Sequence, residues 1–197
     1  MLNRSASSGY VYGVPSPVVK RADAIRNRQR ILATAEDMFA RDGLSVSVDD
    51  IARRAKIGIG TLYRHFPTKD ALVAAIVIER IGRVAERAEA LHDAAEPGPA
   101  LLGLLEHMVA EGVHKRDFVD ALGGSQWLDT AAADATKQRF RRALAKLLAR
   151  AQAAGTIRAD VAAGDLLALV RGVLSSGADA KVRGKLVAVL LDGLRAT

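Results

Sequence analysis

The stretch Ser47 to Asp70, SVDDIARRAKIGIGTLYRHFPTKD, gathers hydrogen-bond donors and cations in a span too short to form a domain core. Placed on a helical wheel at ~100° per residue, residues 59–66 separate into two sides. Ile59, Leu62 and Phe66 share an apolar sector that is expected to face a small core. Gly60, Thr61, Arg64 and His65 lie opposite, with Tyr63 at the boundary. The chemistry open to this polar side is recognition. Thr61 can offer a methyl to a thymine methyl, or a hydroxyl to a base or phosphate, and Arg64 can pair with guanine or neutralise phosphate. Tyr63 and His65 suit phosphate hydrogen bonds from the helix flank. Gly60 costs the helix ~1 kcal/mol relative to alanine. That cost has a reason if another backbone or a base edge must approach closely.

The flanking residues supply the elements that would hold this face in place. Ser47 and Asp50 form an S-x-x-D capping pattern that opens one helix, and Val48, Ile51, Ala52 and Ala55 give it an apolar side. Lys56-Ile57-Gly58 reads as the turn, and Pro67 ends the next helix. Thr68 is a suitable N-cap for a fourth helix that continues to about Leu91. The unit formed by residues 47–66 is therefore a helix-turn-helix whose second helix would enter the major groove of DNA. Ser47, with the backbone N–H groups that open its helix, would make an anion site. Lys69 opposes the dipole at the start of the fourth helix by ~0.3–1 kcal/mol, a conflict that a nearby phosphate would remove.

Upstream, Ile31, Leu32, Ala35, Met38 and Phe39 make one apolar stripe on a helix running from about Asp23 to Asp42-Gly43. Residues 1–22, rich in Ser, Gly and Pro, are expected to form a flexible tail. Lys20, Arg21, Arg26, Arg28 and Arg30 then make a basic arm, which would either touch a DNA backbone or be a solvated helix face.

Composition agrees with a helical protein. Half the 197 residues are hydrophobic but only 4% are aromatic, and Ala, Leu and Val dominate. The net charge of +7 is uneven: residues 1–70 carry 12 Lys/Arg against 7 Asp/Glu, a net of +5, while residues 71–197 carry +2. A basic head on a nearly neutral body suits a nucleic-acid partner, although a basic surface also serves solubility. With no cysteine, disulfide and thiol chemistry are excluded. No apolar run approaches the ~20 residues of a membrane span, and the N-terminus does not read as a signal peptide, so a cytoplasmic location is expected.

The run Gly58-Ile59-Gly60-Thr61-Leu62-Tyr63-Arg64-His65-Phe66-Pro67-Thr68-Lys69, following Asp49-Asp50-Ile51-Ala52-Arg53-Arg54-Ala55, resembles the DNA-binding domain of the TetR family of transcriptional regulators. The resemblance covers roughly the first 80 residues. It implies that Ser47, Thr61, Tyr63, His65 and Lys69 contact operator DNA, with Gly60 and Arg64 beside them. One residue departs from the pattern. Lys56 stands in the turn where relatives often carry glycine, and a lysine at positive φ is strained. Either the turn is built differently here or Lys56 reaches for phosphate; plain tolerance of the strain is favoured over phosphate contact.

The resemblance also implies an all-α fold of about nine helices, divided into the tail (1–22), a DNA-binding domain (23–80) and a C-terminal ligand-binding and dimerisation domain (81–197). The sequence after Pro97 reads as Ala/Leu-rich helices at about 98–113, 116–122, 129–153, 162–176 and 181–194. Leu166, Leu167, Val170, Val173 and Leu174 form one apolar face, and Leu186, Val187, Leu190, Leu191 and Leu194 another. Both faces could be core. Leu166, Leu167, Val170, Leu174, Leu186, Leu190 and Leu194 also suit a dimer interface at the position the family uses.

His107, Met108, Phe118, Trp127 and Phe140 are candidates for a ligand pocket, although Trp127 and Phe140 serve equally as core. His107 and His114 could share a helix face, but with no third ligand nearby no metal site is expected. No cofactor is called for. The implied function is a ligand-released repressor that binds operator DNA as a homodimer. The alternative is a chromosome-organising protein with little sequence preference. An enzyme is disfavoured by the lack of a Gly-rich phosphate loop, a nucleophile motif or an acid/base constellation.

Overall fold

The computed structural model describes the backbone of residues 10–11, 14–15, 17–121 and 131–196, and the side chains of 21–112 and 133–196. Among these, eight helices make up the architecture: α1 (Pro17–Asp42), α2 (Val48–Arg54), α3 (Ile59–His65), α4 (Lys69–Ala90), α5 (Pro97–Ala121), α6 (Ala131–Ala153), α7 (Ala163–Ser175) and α8 (Ala180–Leu194). A two-residue antiparallel ribbon, Tyr10–Val11 with Val14–Pro15, precedes them. The all-helical expectation holds. The count is eight because the segment expected at 116–122 is the end of α5, which runs without a break from Pro97 to Ala121.

Helix α1 begins at Pro17, not Asp23, so residues 17–22 of the expected tail are helical. Proline is well suited to a first helical turn, where its missing N–H costs nothing and its fixed φ is already helical. The chain divides into two compact units, residues 1–72 and 73–197. That division falls within α4, earlier than the 80/81 boundary read from the sequence. No linker composition marks it, because a continuous helix carries the chain from one unit to the next.

In the first unit, α1 packs against α2 and α3, and these two pack on each other. Ile31, Leu32, Ala35 and Phe39 of α1 meet a core that also holds Ile51, Ala52, Leu62 and Phe66, all buried. Helix α1 ends at Gly43, whose φ of 73° lets its N–H reach the Phe39 carbonyl at 3.0 Å.

Helix α2 ends the same way on a residue less suited to it. Lys56 has φ 55°, its N–H donates to the Arg53 carbonyl at 3.1 Å, and the N–H of Ile57 donates to that of Ala52 at 3.1 Å. This is the paired closure that usually recruits glycine. The turn is therefore the ordinary glycine-type one, with Lys56 held at positive φ. Lys56→Gly should raise stability by roughly 0.5–1 kcal/mol. Relief of the ~1–2 kcal/mol left-handed penalty is partly offset by the freer unfolded chain. Lys56→Val should destabilise the protein. Urea midpoints for both variants check this, and no gain from glycine would mean the turn holds no strain.

The second unit is built around α5, which packs on α6, α7 and α8. Leu101, Leu104 and Leu105 of α5, Leu144 and Leu147 of α6, and Leu166 of α7 are fully buried in its core. Gly98 allows the first turn of α5 to approach the loop after α6: a Cβ there would lie 2.6 Å from Thr156 Cβ. Thr156 cannot easily yield, because its hydroxyl donates to the Ala151 carbonyl at 2.9 Å. Gly98→Ala should therefore destabilise the protein by about 1–3 kcal/mol, as overpacked sites do. A melting temperature unchanged by this substitution would show that the loop moves freely.

The end of the chain is stitched back onto that loop. Arg158 N–H donates to the Leu194 carbonyl at 3.0 Å and Ala196 N–H to the Thr156 carbonyl at 3.2 Å, which makes an isolated antiparallel bridge between Ile157 and Arg195. Arg158 also grips Asp160 through two contacts of 2.6 Å. These hydrogen bonds hold the Asp160 carboxyl below the usual carboxylate range. Among the described residues, no helix is long and apolar enough to cross a membrane.

Candidate functional site

Helix α3 is held to the first unit by two side chains, Leu62 and Phe66, which are 0% and 3% exposed. Everything outward follows from those anchors. Gly60, Tyr63 and Arg64 are exposed, and Thr61 and His65 flank them half-buried. The His65 ring lies 6.2 Å from that of Phe66 at 43°. A Cβ on Gly60 would meet nothing within 4 Å. Among the described residues nothing therefore requires glycine there.

Ile59 departs from expectation. It is 37% exposed, not core. It is the first residue of α3, directly after the N-cap Gly58. Helical Cα–Cβ bonds tilt toward the N-terminus, so its side chain leans off the end of the helix instead of inward. The outward face therefore carries an apolar group that the wheel had assigned to the core.

Ser47 caps α2 as expected, its Oγ accepting from the Asp50 N–H at 3.1 Å. The reciprocal half of the pattern differs. The Asp50 carboxylate accepts the Ser47 hydroxyl proton at 2.6 Å, and it also lies 3.0 Å from the Arg53 guanidinium. Thr68 caps α4, accepting from the Ala71 N–H at 3.0 Å.

Lys69 is half-buried: its ammonium donates to the Leu44 carbonyl and sits 5.7 Å from the centre of the Phe39 ring. The conflict with the α4 dipole is thus answered within the unit by a carbonyl and an aromatic face. Of the basic arm, Arg26 pairs with Asp23, Arg30 donates to Asn27 at 3.2 Å, and the Arg28 guanidinium lies 5.5 Å from the centre of the Phe66 ring. Lys20 lies outside the described side chains.

The second unit contains a cavity of about 340 Å³. Met108 and Phe140, both expected at a pocket, line it together with Ile81, Val84, Leu167 and Leu174. His107 is half-buried on α5 but is not among the lining residues. Phe118 and Trp127 lie outside the described side chains, as does His114.

The residues read as a dimer interface fall into three groups. Leu166, Val170 and Leu194 are buried in the unit's own core, Leu167, Val170 and Leu174 line the cavity, and Leu186 and Leu190 remain at or near the surface. The exposed large apolar side chains of α7 and α8 are Leu169, Val182, Val189 and Leu186, the last among the residues expected at an interface. Spacing could have found most of them, since 182, 186 and 189 recur at helical intervals on α8.

Residues 31–76 match the family model described as bacterial regulatory proteins, tetR family, and residues 96–196 match that of the transcriptional regulator SbtR-like C-terminal domain. The chain belongs to the TetR family. A crystallised TetR regulator from Mycobacterium vanbaalenii is 43% identical, with a TM-score of 0.71 over 90% of this chain and 99% of that one. The TetR regulator SCO0520 from Streptomyces coelicolor is 30% identical, with a TM-score of 0.67 over 86% and 99%. An HTH-type transcriptional regulator of Staphylococcus aureus is 40% identical over 67 residues, which is 33% of this chain and 35% of that protein. The match to such curated relatives thus spans about a third of their length. Residues 31–76, which the tetR family model matches, contain α2 and α3 whole, and with them every outward residue of α3.

Proposed function

We propose that this TetR-family chain is a sequence-specific DNA-binding repressor, released from its operator by a small molecule held in the second unit. The observation that carries the reading is the division of α3. Two buried anchors, Leu62 and Phe66, fix a seven-residue helix whose free side offers a bare backbone at Gly60 with Thr61, Tyr63 and Arg64 around it. A helix presented this way can seat in the major groove, with Arg64 toward guanine and the Thr61 methyl and Ile59 toward thymine methyls. Tyr63, His65, Ser47 and Lys69 contact phosphates and fix the register. Ser47 does so by turning its hydroxyl away from Asp50.

One such helix reads few base pairs, so the functional unit is a two-fold homodimer on a pseudo-palindrome, with half-sites ~34–36 Å apart or a multiple of that spacing. The exposed surface of α7 and α8 supports pairing there. The cavity supports an effector, which acts by binding more tightly to a conformation in which the heads no longer match the half-sites.

Titration of the dimer on its own upstream region and on scrambled duplex tests the reading. A repressor should prefer its operator by ~10³-fold or more, and equal affinities would instead mark a chromosome organiser. Thr61→Ala should alter the preferred sequence at one position per half-site, at a cost of ~1–3 kcal/mol in discrimination there. An unchanged preference in a binding-site selection would remove Thr61 from the base-reading set.

A further inference from the structure

We propose that the cavity of the second unit takes a compact, mainly apolar molecule, and that the contact of Leu174 with Gly112 sets how long that molecule can be. This deepens the effector reading and rests on it. Ile81 and Val84 of α4, Met108 of α5, and Leu167 and Leu174 of α7 pack against the core of the unit, yet each stays only partly buried. All five line the cavity, together with Phe140. A guest that covers such apolar surface gains about fourfold in affinity for each methylene buried. Arg80 and Lys137, on the same wall, already interact within the chain, so a guest is not required to neutralise them.

The volume of about 340 Å³ lies near the lower end of the ~300–1,000 Å³ range of ligand pockets. At the ~30 Å³ that a molecule of liquid water takes up, it holds roughly ten non-hydrogen atoms.

Gly112 of α5 and Leu174 of α7 both belong to the described wall. A Cβ on Gly112 would fall 2.4 Å from one methyl of Leu174 and 3.0 Å from the other. The leucine thus occupies space that any other residue at 112 would fill. Its methyls are the far end of a side chain with rotamers to choose from, so an added Cβ would displace them. The wall here therefore depends on the two residues jointly. Without the leucine side chain the cavity gains room, and with a methyl added at 112 it loses room.

Displacement of the uncharged dye N-phenyl-1-naphthylamine from the full-length protein by 1-alkanols, from butanol to dodecanol, tests this. Affinity should climb about fourfold per carbon and stop climbing at one chain length. Leu174→Ala should move that limit up by about two or three carbons, the size of the side chain removed. Gly112→Ala should move it down by about one or two carbons. The limit of the double variant should lie close to that of Leu174→Ala alone, because no leucine remains for the added methyl to displace. Should Gly112→Ala fail to fold, Leu174→Ala decides by itself. Met108→Trp, which fills the cavity, should weaken the dye and every alcohol.

A limit that stays put in Leu174→Ala would overturn the proposal and leave the effector reading standing. Dye and alcohol binding unaltered by Met108→Trp would place both elsewhere and overturn the proposal as well. Saturable binding of neither dye nor alcohol would remove the cavity as a receptor, and the effector reading with it.

Discussion

Replacing Leu186 and Val189 together by glutamate should split the proposed dimer and lower operator affinity by ~10²–10⁴-fold, the gain that linking two binding modules ordinarily provides. The two side chains are 36% and 71% exposed and share one face of α8 with Val182, at 45%, while Leu169 on α7 is 43% exposed. Large apolar side chains gathered on one surface mark an interaction site more often than chance exposure does. A two-fold interface is self-complementary, so each substitution enters it twice. The substitutions would set glutamates from the two copies into a shared apolar seam. Neither residue belongs to the buried core of the second unit, so its fold should survive. Sedimentation equilibrium and a DNA titration on the same sample check the result. A dimer that persists at micromolar concentration with full affinity would place the interface elsewhere.

Leu62→Ala should destabilise the DNA-binding head by ~2–5 kcal/mol, the usual cost of opening a leucine-sized cavity. Leu62 is fully buried and is the one buried side chain within α3, with Phe66 following at its C-cap. Small domains bury a modest share of their surface and have little stability in reserve. The variant should therefore lose DNA binding at temperatures where the parent retains it. Ile59→Ala is the matched control. With its side chain leaning off the helix end, it should change stability by less than about 0.5 kcal/mol and act only on binding. Urea denaturation of the pair separates the two faces of α3. Equal losses from both variants would mean that the inward and outward assignments are wrong.

The helix-turn-helix was legible because its residues act locally. Caps at Ser47 and Thr68, the stop at Pro67 and the 3.6-residue period through Leu62 and Phe66 each carry their meaning within a few positions. Ile59 was misread because a wheel treats a helix as endless, and α3 is only seven residues long. The setting of Lys69 was invisible for another reason: its partners, Leu44 and Phe39, lie 25 and 30 positions away and meet it only when the unit folds.

In the second unit, sequence reading found helices but not their relations. A Leu/Val face looks alike whether it meets its own core, a cavity or solvent: Leu166 is buried in the core, Leu174 lines the cavity and Leu186 is exposed. Arg80, a cation on the apolar stripe of α4, can be counted from the sequence, and it lines the cavity.

The bridge between Ile157 and Arg195 makes α7 and α8 a closed circuit. The main chain leaves at Ile157, passes through both helices and returns to hydrogen-bond where it left. A clasp of this kind holds both ends of the segment and removes much of the freedom a dangling terminus would have. The surface proposed for pairing thus sits on a fastened buckle. Because the buckle closes with residues 194–196, removing or altering those three residues would act on the proposed pairing without touching any of the exposed apolar side chains proposed to carry it.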